Sequence, residues 1–289
     1  MSSLSPEDRR ESVLMDAGAL RARLESGLPT VVLAVRGADS VAPLPLESHP
    51  RLPGAHDAGL AEDFSSPSHP LHGSRPLPDP QDLQAAVRRW GIHDGDLVVV
   101  YDHDGGLLAA RGWWVLRWAG LDVRLLDGGF QAWLEAGGAV DHAPPVASPP
   151  GTAVVQPGHL PQFGPDQALV LGRHGVLLDS RMHANYVGAP TAAGEPRRGH
   201  IPGAWSIPAA ANLAPDGRFA GVDQLRDLYA PTGALDGGEV GVYCGAGVSA
   251  AHDVLALALL GVDAAMYPGS WSAWIGSDDR PAVIGQERG

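Results

Sequence analysis

Runs of β-branched and aromatic residues recur along the chain and alternate with segments of helix-forming composition. Such runs predict buried strands, because their side chains suit a pleated sheet. The predicted strands cover 30–35, 96–101, 123–126, 176–179, 240–243 and 264–267. The predicted helices cover 16–26, 79–90, 107–119, 129–135, 223–229, 250–260 and 270–275. Short strands that alternate with helices are typical of α/β domains with mainly parallel sheets.

Polar and proline-rich stretches divide this pattern into two halves. Residues 1–12 are polar and are expected to be loosely held. Residues 36–80 are rich in Pro, Ser, His and Gly and predict a long connection of loops. A second group of prolines predicts a linker at 143–165. The expected domains are therefore 1–142 and 166–289.

The two halves repeat each other in sequence. The matching segments are DLVVVYD at 96–102 with EVGVYC at 239–244, LLDGGFQAW at 125–133 with MYPGSWSAW at 266–274, and RLPGA at 51–55 with HIPGA at 200–204. The first match places Asp102 opposite Cys244. The second match differs from the first by one residue in register, which we assign to an extra residue in the loop DHDGGL. Matches in nearly one register predict a tandem repeat.

Cys244 lies where a predicted strand ends and a helix is about to begin. The loop from Cys244 to Ser249 reads CGAGVS, and its two glycines take a positive φ at little cost. Such a loop turns successive N–H groups inward at the positive end of the following helix dipole, where they favour a thiolate. We hypothesise that Cys244 is a nucleophile. The alternative is a buried, inert cysteine.

Composition narrows the classes of function. A chain with 44% hydrophobic and 18% charged residues has enough apolar side chains for a real core. The single cysteine excludes an internal disulfide, and no Cys/His cluster predicts a metal site, so we expect a cytoplasmic protein. No signal peptide or membrane span is expected. The net charge of −13 argues against nucleic acid as a partner.

Four landmarks in the second half resemble the two-domain rhodanese family. They are DSR at 179–181, GHIPGA at 199–204, the strand–Cys–loop–helix segment, and PGSWSAW at 268–274. The resemblance implies two tandem rhodanese-like domains, each a mainly parallel sheet flanked by helices, of which only the C-terminal one carries the active cysteine. Asp102 then has a structural role, because a helix N-terminus stabilises an aspartate with the same N–H groups.

The resemblance further implies a sulfurtransferase that needs no cofactor. Cys244 would take a sulfane sulfur from a small anionic donor, thiosulfate or 3-mercaptopyruvate, and pass the persulfide sulfur to cyanide or a thiol. Main-chain amides would stabilise the persulfide. These amides belong to Gly245, Ala246, Gly247, Val248 and Ser249. The competing reading is a weakly active or non-enzymatic protein that binds anions or partners.

Three departures from the family pattern leave the donor open. Mercaptopyruvate enzymes usually read CGSGVT and thiosulfate enzymes CRKGVT, whereas this loop reads CGAGVS, so Ala246 supplies neither a hydroxyl nor a cation. Asn185 stands where the family commonly has a donor-binding arginine. Mercaptopyruvate enzymes have an acidic site residue a few positions after the first HIPGA-like segment. In this chain Gly59 aligns with that position, and Asp57 and Asp63 are nearby. Related phosphatases need a Cys-x5-Arg loop, and Ala250 takes the place of that arginine, which argues against phosphatase activity.

Arg197 and Arg198 are the remaining candidates for an anion clamp on the donor. The alternative is a solvated pair on a flexible loop. Arg181 is expected to form a structural ion pair with Asp179. His252 is expected to pack within its helix rather than to act as a base.

The tryptophans divide by the roles that their positions predict. Their spacing along a helix predicts a core role for Trp113, Trp114 and Trp118. Trp271 and Trp274 are expected to anchor the last helix. Trp205 follows the HIPGA segment, where it would either line a pocket or pack.

Overall fold

A computed structural model of the chain describes residues 5–37, 50–190 and 196–289. Within these residues the two halves of the sequence each build a parallel sheet. The N-terminal unit contains the described parts of Met1–Ser66, together with Leu77–Leu160 and Pro215–Phe219. The C-terminal unit contains Pro67–Pro76, the described parts of Pro161–Ala214, and Ala220–Gly289.

The described strands of the N-terminal unit form one sheet in the order β1-β5-β4-β2-β3, and all of its pairs are parallel. The strands are β1 (Leu14–Met15), β2 (Thr30–Arg36), β3 (His56–Gly59), β4 (Leu97–Tyr101) and β5 (Asp122–Leu126). The helices are α1 (Pro6–Val13), α2 (Ala17–Glu25), α3 (Pro80–Arg89), α4 (Leu107–Trp118) and α5 (Gly129–Glu135). Every residue of β4 is buried, as expected for the middle of a covered parallel sheet.

The described strands of the C-terminal unit form a parallel sheet in the order β7-β6-β8-β9. The strands are β6 (Val176–Asp179), β7 (Trp205–Ser206), β8 (Val240–Tyr243) and β9 (Ala265–Met266). The helices are α6 (Pro165–His174), α7 (His183–Val187), α8 (Val222–Tyr229), α9 (Ser249–Leu259) and α10 (Ser270–Trp274). The order β9-β8-β6-β7 repeats β5-β4-β2-β3, which confirms the predicted tandem repeat.

The repeated PGA segments have the same physical role in both units. The hydroxyl of Tyr101 at the end of β4 accepts a hydrogen bond from the backbone N–H of Leu52 over 3.0 Å. The hydroxyl of Tyr243 at the end of β8 accepts the equivalent bond from Ile201, also over 3.0 Å. Each tyrosine is fully buried. A buried hydroxyl needs a partner, and the PGA segment supplies one to the strand-end tyrosine in both units.

Two sequence expectations about loops are corrected. For the part that the structure describes, the expectation of a loosely held N-terminal segment is wrong, because residues 6–13 form α1. Ser5 and Asp8 make a capping box at its start, and Arg10 forms a salt bridge with Asp127. The connection predicted at 36–80 contains β3, while its residues 38–49 lie outside the described residues.

The proline-rich stretch predicted as a linker packs along the N-terminal unit over much of its length. Gly151 donates its N–H to the carbonyl of Arg88 over 2.9 Å, and Ala153 donates to Ile92 over 3.0 Å. The chain passes from one unit to the other between Leu160 and Pro161. The sequence did not predict that each half contributes a short segment to the other unit. Among the described residues, no helix has the length and apolar character needed to cross a membrane.

Candidate active site

Cys244 is fixed at the end of an interior strand of the C-terminal sheet. β8 pairs with β6 on one side and with β9 on the other. The helix after the cysteine begins at Ser249, one residue earlier than predicted. The thiol is free and only 1% exposed. The predicted arrangement of strand, cysteine, loop and helix is therefore present.

One backbone N–H group of the loop binds the sulfur. Gly247 donates its N–H to Sγ of Cys244 over 3.0 Å. Gly247 has a φ of 74°, which glycine adopts without strain. The N–H groups of Ala246, Val248 and Ser249 have no acceptor among the residues that the structure describes. These donors remain available to an anion.

Ser270 is a site residue that the sequence did not single out. Its Oγ accepts a hydrogen bond from the backbone N–H of Cys244 over 3.1 Å and donates to the carbonyl of Tyr267 over 2.8 Å. The same Oγ lies 3.9 Å from Sγ of Cys244. The first turn of α10 also binds the loop, since Trp271 donates its N–H to the carbonyl of Cys244 over 2.9 Å. Ser270, at the start of α10, therefore positions the cysteine through these contacts.

The repeat contains the signal that would have found Ser270. Gly129 is its counterpart in the N-terminal unit, and the two residues have similar positive φ values of 56° and 51°. A Cβ added at Gly129 would meet the carbonyl oxygen of Asp102 at 2.6 Å. A left-handed conformation costs a residue with a Cβ about 1 kcal/mol. A residue other than glycine is uncommon in this conformation, and this serine contacts the cysteine.

If Cys244 is the nucleophile that the sequence predicts, we expect removal of the Ser270 hydroxyl to slow its attack about tenfold, because the Cys244 N–H loses its acceptor and the loop loses a fixed point. Ser270→Ala and Ser270→Gly should lose rate equally. The glycine variant should be about 1 kcal/mol more stable than the alanine variant, because glycine adopts the left-handed backbone conformation without strain. Steady-state kinetics and urea unfolding of both variants check this. A wild-type rate in the glycine variant would show that the hydroxyl is not needed.

In the N-terminal unit a carboxylate occupies the position that corresponds to the thiol. Oδ1 of Asp102 accepts the N–H groups of Asp104 over 2.9 Å and Gly106 over 2.8 Å. Oδ2 accepts those of Leu108 over 2.7 Å and Ala109 over 2.8 Å. Burial raises the pKa of Asp102, and the backbone hydrogen bonds oppose that rise. A loop of this form therefore binds two anionic oxygens with main-chain donors alone.

A cavity of about 430 Å³ opens beside the cysteine loop in the C-terminal unit. It brings together several residues that the sequence analysis treated as candidates for donor binding. Its wall includes Arg181, Asn185, Arg197, Arg198, Gly245 and Trp271. Of the loop, Gly245 lines this cavity, whereas Ala246, Val248 and Ser249 are not part of its wall. A cavity with three arginines beside the cysteine suits a small anion.

The two clamp candidates differ in how they are held. The guanidinium of Arg197 donates to the backbone carbonyls of Ser277 and Arg280. Two of its five N–H groups are used in this way, and the other three have no acceptor among the described residues. Arg198 is exposed, and its guanidinium donates to no residue that the structure describes. The Asn185 side chain is exposed on the same wall.

The predicted ion pair of Arg181 with Asp179 is confirmed. Nε of Arg181 lies 2.9 Å from Oδ1 of Asp179, and the guanidinium also donates to the carbonyl of Gly199 over 2.7 Å. Burial lowers the pKa of Arg181, but the hydrogen bonds and charge of Asp179 outweigh burial and raise it overall. The guanidinium lies 4.6 Å from the ring centroid of Trp271. Arg181 therefore has a structural role in its ion pair with Asp179, and it also lines the cavity.

The other candidate residues pack in the fold or contact neighbouring side chains. His252 is buried, and its Nδ1 lies 3.2 Å from Nδ2 of Asn212. The ring of Trp205 packs against the guanidinium of Arg288 at 4.0 Å and lies outside the cavity wall. The core and anchoring roles of five tryptophans are confirmed, since all are buried: Trp113, Trp114, Trp118, Trp271 and Trp274.

The acidic residues near Gly59 are engaged within the N-terminal unit. Asp57 forms salt bridges with Arg36 at 3.1 Å and with Arg51 at 2.8 Å. Asp63 accepts the N–H of Gly59 over 2.8 Å and also forms a salt bridge with an arginine. Both carboxylates therefore have structural partners.

The fold and the site define a class of proteins built from two tandem α/β units, in one of which a loop N–H binds a cysteine sulfur. The profile of the Rhodanese-like domain matches residues 17–136 and 166–277. The chain belongs to the two-domain rhodanese family. SseB of Mycobacterium tuberculosis, named a putative thiosulfate sulfurtransferase, is 40% identical over 291 residues, which covers 96% of this chain and 98% of the relative.

Two further relatives carry names of the second donor type. A probable 3-mercaptopyruvate sulfurtransferase of Pseudomonas aeruginosa is 38% identical over 257 residues, covering 83% of this chain and 85% of the relative. The crystal structure of SseA from Escherichia coli, described as a 3-mercaptopyruvate sulfotransferase with the rhodanese fold, is similar with a TM-score of 0.77. Its identity is 26%, over 90% of this chain and 99% of that chain. The relatives therefore span both donor types.

Proposed function

We propose that the protein is a sulfurtransferase that moves a sulfane sulfur from thiosulfate or 3-mercaptopyruvate to cyanide or a thiol through a persulfide on Cys244. The observation that carries this proposal is the hydrogen bond from the Gly247 N–H to Sγ over 3.0 Å. The loop holds further N–H groups that have no described acceptor, and a cavity lined by arginines lies beside it. Relatives at 38–40% identity are named for this chemistry.

The donor step transfers one sulfur atom and needs no oxidant. The Cys244 thiolate attacks the outer sulfur of thiosulfate, the S–S bond of the donor breaks, and sulfite leaves with the electron pair of that bond. With 3-mercaptopyruvate the C–S bond breaks instead, and the enolate of pyruvate leaves and takes up a proton. A thiolate suits both steps because it is a soft nucleophile. The loop amides stabilise the anion before and after transfer.

The carboxylate of Asp102 indicates where the outer sulfur of the persulfide would lie. Allowing for the extra residue, Gly106 corresponds to Gly247, so the oxygen that Gly106 binds takes the place of the thiol sulfur. The pair of N–H groups that binds Oδ2 of Asp102 corresponds to Ser249 and Ala250. We therefore assign the outer sulfur to the N–H groups of these two residues, at the start of α9.

Arg197 is the clamp for the donor's anionic group, because its anchored guanidinium lines the cavity and has further N–H groups with no acceptor among the described residues. Arg197→Ala should raise the KM for the donor about tenfold, by the loss of one charge-assisted hydrogen-bonding group. Arg181→Lys should change the donor KM less, since Arg181 is bound to Asp179. Steady-state kinetics of both variants with each donor measure this. The reverse order of effects would remove the clamp assignment.

Turnover with each donor tests the proposed function. Purified protein is mixed with thiosulfate or 3-mercaptopyruvate, and thiocyanate formed from cyanide is measured. Turnover with either donor supports the proposal, and the ratio of the two kcat/KM values gives the donor. Absence of turnover with both would favour a protein that binds anions or partners, as Asn185 and Ala246 would then suggest.

The setting of this reaction is part of the proposal. We place it in the cytoplasm, where a reducing environment suits a chain whose single cysteine must stay reactive. The net charge of −13 speaks against a nucleic-acid partner. With that charge, an anionic donor depends on the local arginines and N–H groups rather than on the field of the whole protein.

A further inference from the structure

A carboxyl group is buried without a cation near the start of α9. Asp253 is fully buried and lies one helical turn after Ser249, the first residue of that helix. Its Oδ1 accepts a hydrogen bond from Nδ2 of Asn212 over 2.7 Å, whereas its Oδ2 makes no hydrogen bond to any residue that the structure describes. Asp253 also forms no salt bridge within that part of the chain. Such a group lowers the stability of a fold, and groups of this kind cluster at functional sites.

The neighbours of Asp253 hold the carboxyl in place without neutralising it. Oδ1 of Asn212, in the 3₁₀ helix Ala209–Asn212, accepts a hydrogen bond from the hydroxyl of Tyr229 over 2.8 Å. Nδ2 of Asn212 binds Asp253 and also lies 3.2 Å from Nδ1 of His252. An amide nitrogen can only donate, so Nδ1 of His252 accepts, and the imidazole is not a cation. The amide of Asn212 therefore fixes Asp253 through neutral groups alone.

Few other titratable groups lie on the elements around Asp253. They are Tyr229 of α8, Asp179 of β6 with its ion-pair partner Arg181, Tyr243 and Cys244 at the end of β8, and His252 of α9 itself. The sequences of β9 and of the 3₁₀ helix contain none. Burial raises the pKa of Asp253 to about 7, while hydrogen-bonding groups, led by Ser180, oppose the rise and the charge of Asp179 adds to it. The carboxyl therefore changes its charge near neutral pH.

Ser180 links this carboxyl to the cysteine. In the parallel pairing of β6 with β8, Asp179 lies opposite Tyr243. Ser180 continues the register, because its N–H donates to the carbonyl of Tyr243 over 2.9 Å, and it therefore lies opposite Cys244. Paired strands are about 4.8 Å apart. On its other side, the Ser180 hydroxyl lies near enough to Asp253 to lower the pKa of that carboxyl. The carboxyl and the sulfur are thus separated by one residue, at about 10 Å or less.

We propose that Asp253 sets the pH range in which the cysteine loop holds an anion. The ionised carboxylate opposes a thiolate or a persulfide at Cys244, and Asp253 takes up a proton from solvent when the loop becomes anionic. Two like charges about 10 Å apart in a protein change an equilibrium constant about tenfold. The coupling to the thiolate stands by itself, whereas its effect on the sulfur donor rests on the proposed sulfurtransferase function.

The rate at which iodoacetamide alkylates Cys244, followed by mass spectrometry across neutral pH, tests the coupling without any sulfur donor. The reagent is uncharged, and the chain has a single cysteine, so the label reports on the thiolate of this site. In Asp253→Asn the midpoint of the pH–rate profile should fall by about one pH unit, because the amide stays neutral and still accepts from Asn212. Two controls should keep the wild-type midpoint. Asp227→Asn removes an exposed charge of α8, and Tyr229→Phe loosens the network but leaves the carboxyl.

Urea unfolding shows whether the carboxyl titrates as proposed and whether the variant folds. The folded pKa lies above the unfolded value of about 3.9, so the wild-type midpoint should fall relative to that of Asp253→Asn as the pH rises from about 4 to about 7. An equal pH dependence in both proteins, or an unchanged alkylation midpoint, would overturn the proposal. An equal shift in either control would do so too, by tracing it to net charge or to loosened packing. Failure of wild type to take up sulfur would contradict the proposed function but not the coupling.

Discussion

Cys244→Ser abolishes sulfur transfer, with a loss in kcat of at least about 1,000-fold with either donor. A serine hydroxyl stays protonated near neutral pH and is a poor nucleophile toward sulfur, whereas the loop amides can hold a thiolate. The remaining features of the site, including the Gly247 N–H and the arginines of the cavity, are unchanged by this substitution. Thiocyanate formation with thiosulfate and with 3-mercaptopyruvate measures the loss.

The serine variant should keep the fold, because its hydroxyl is smaller than the thiol and still accepts the Gly247 N–H. Its free energy of unfolding should lie within about 1 kcal/mol of wild type in urea titrations. A folded variant that retains a tenth or more of the wild-type rate would show that Cys244 does not carry the sulfur.

Asp102→Ala lowers the free energy of unfolding by about 3 kcal/mol, because four backbone N–H groups lose a buried acceptor together. The carboxylate is 1% exposed and fills the loop before α4. The substitution leaves the donors of that loop facing a space that a methyl group cannot satisfy. Urea unfolding of the variant and the wild-type protein measures the difference.

Asp79→Ala is the matched control for this result. Asp79 caps α3, but it is exposed and accepts the N–H of Gln81 over 2.8 Å. Its loss should cost about 1 kcal/mol, as for an ordinary helix cap. Sulfur uptake per folded molecule should be unchanged in Asp102→Ala, because Cys244 and its cavity belong to the C-terminal unit. A cost no greater than that of Asp79→Ala would contradict the buried structural role of Asp102.

The elements around the cysteine could be predicted because their patterns are local and strong. The strand 240–243 coincides with β8, and the helix after the loop begins one residue earlier than predicted. Val240, Val242 and Tyr243 favour a strand, and the alanine- and leucine-rich segment that follows favours a helix. The repeat also allowed the same fold to be predicted for both halves, and the matched segments do occupy equivalent positions in the two sheets.

Elements that depend on distant partners were either not predicted or predicted with wrong bounds. β1, β7 and β9 each span two residues and exist as strands because a neighbour pairs with them. β9 was predicted as a longer strand, while the other two were not predicted. α1 depends on a capping box and on Arg10, whose partner Asp127 lies far along the chain. No pattern within such short segments reports these contacts.

Only the part of the candidate site that is continuous in sequence could be predicted. The cysteine loop is continuous in sequence, and the nearby arginines follow from motif spacing. Ser270 contacts Cys244 only through the tertiary fold, and its left-handed backbone is invisible in composition. Comparison of the two repeats, glycine against serine, is the sequence signal closest to this information.

Mass spectrometry of the wild-type protein after incubation with each donor tests the central claim most directly. The account predicts a gain of one sulfur atom on the peptide that contains Cys244, and its complete loss on addition of cyanide or a thiol. A folded protein with a free Cys244 thiol that gains no sulfur from thiosulfate or from 3-mercaptopyruvate would contradict the account.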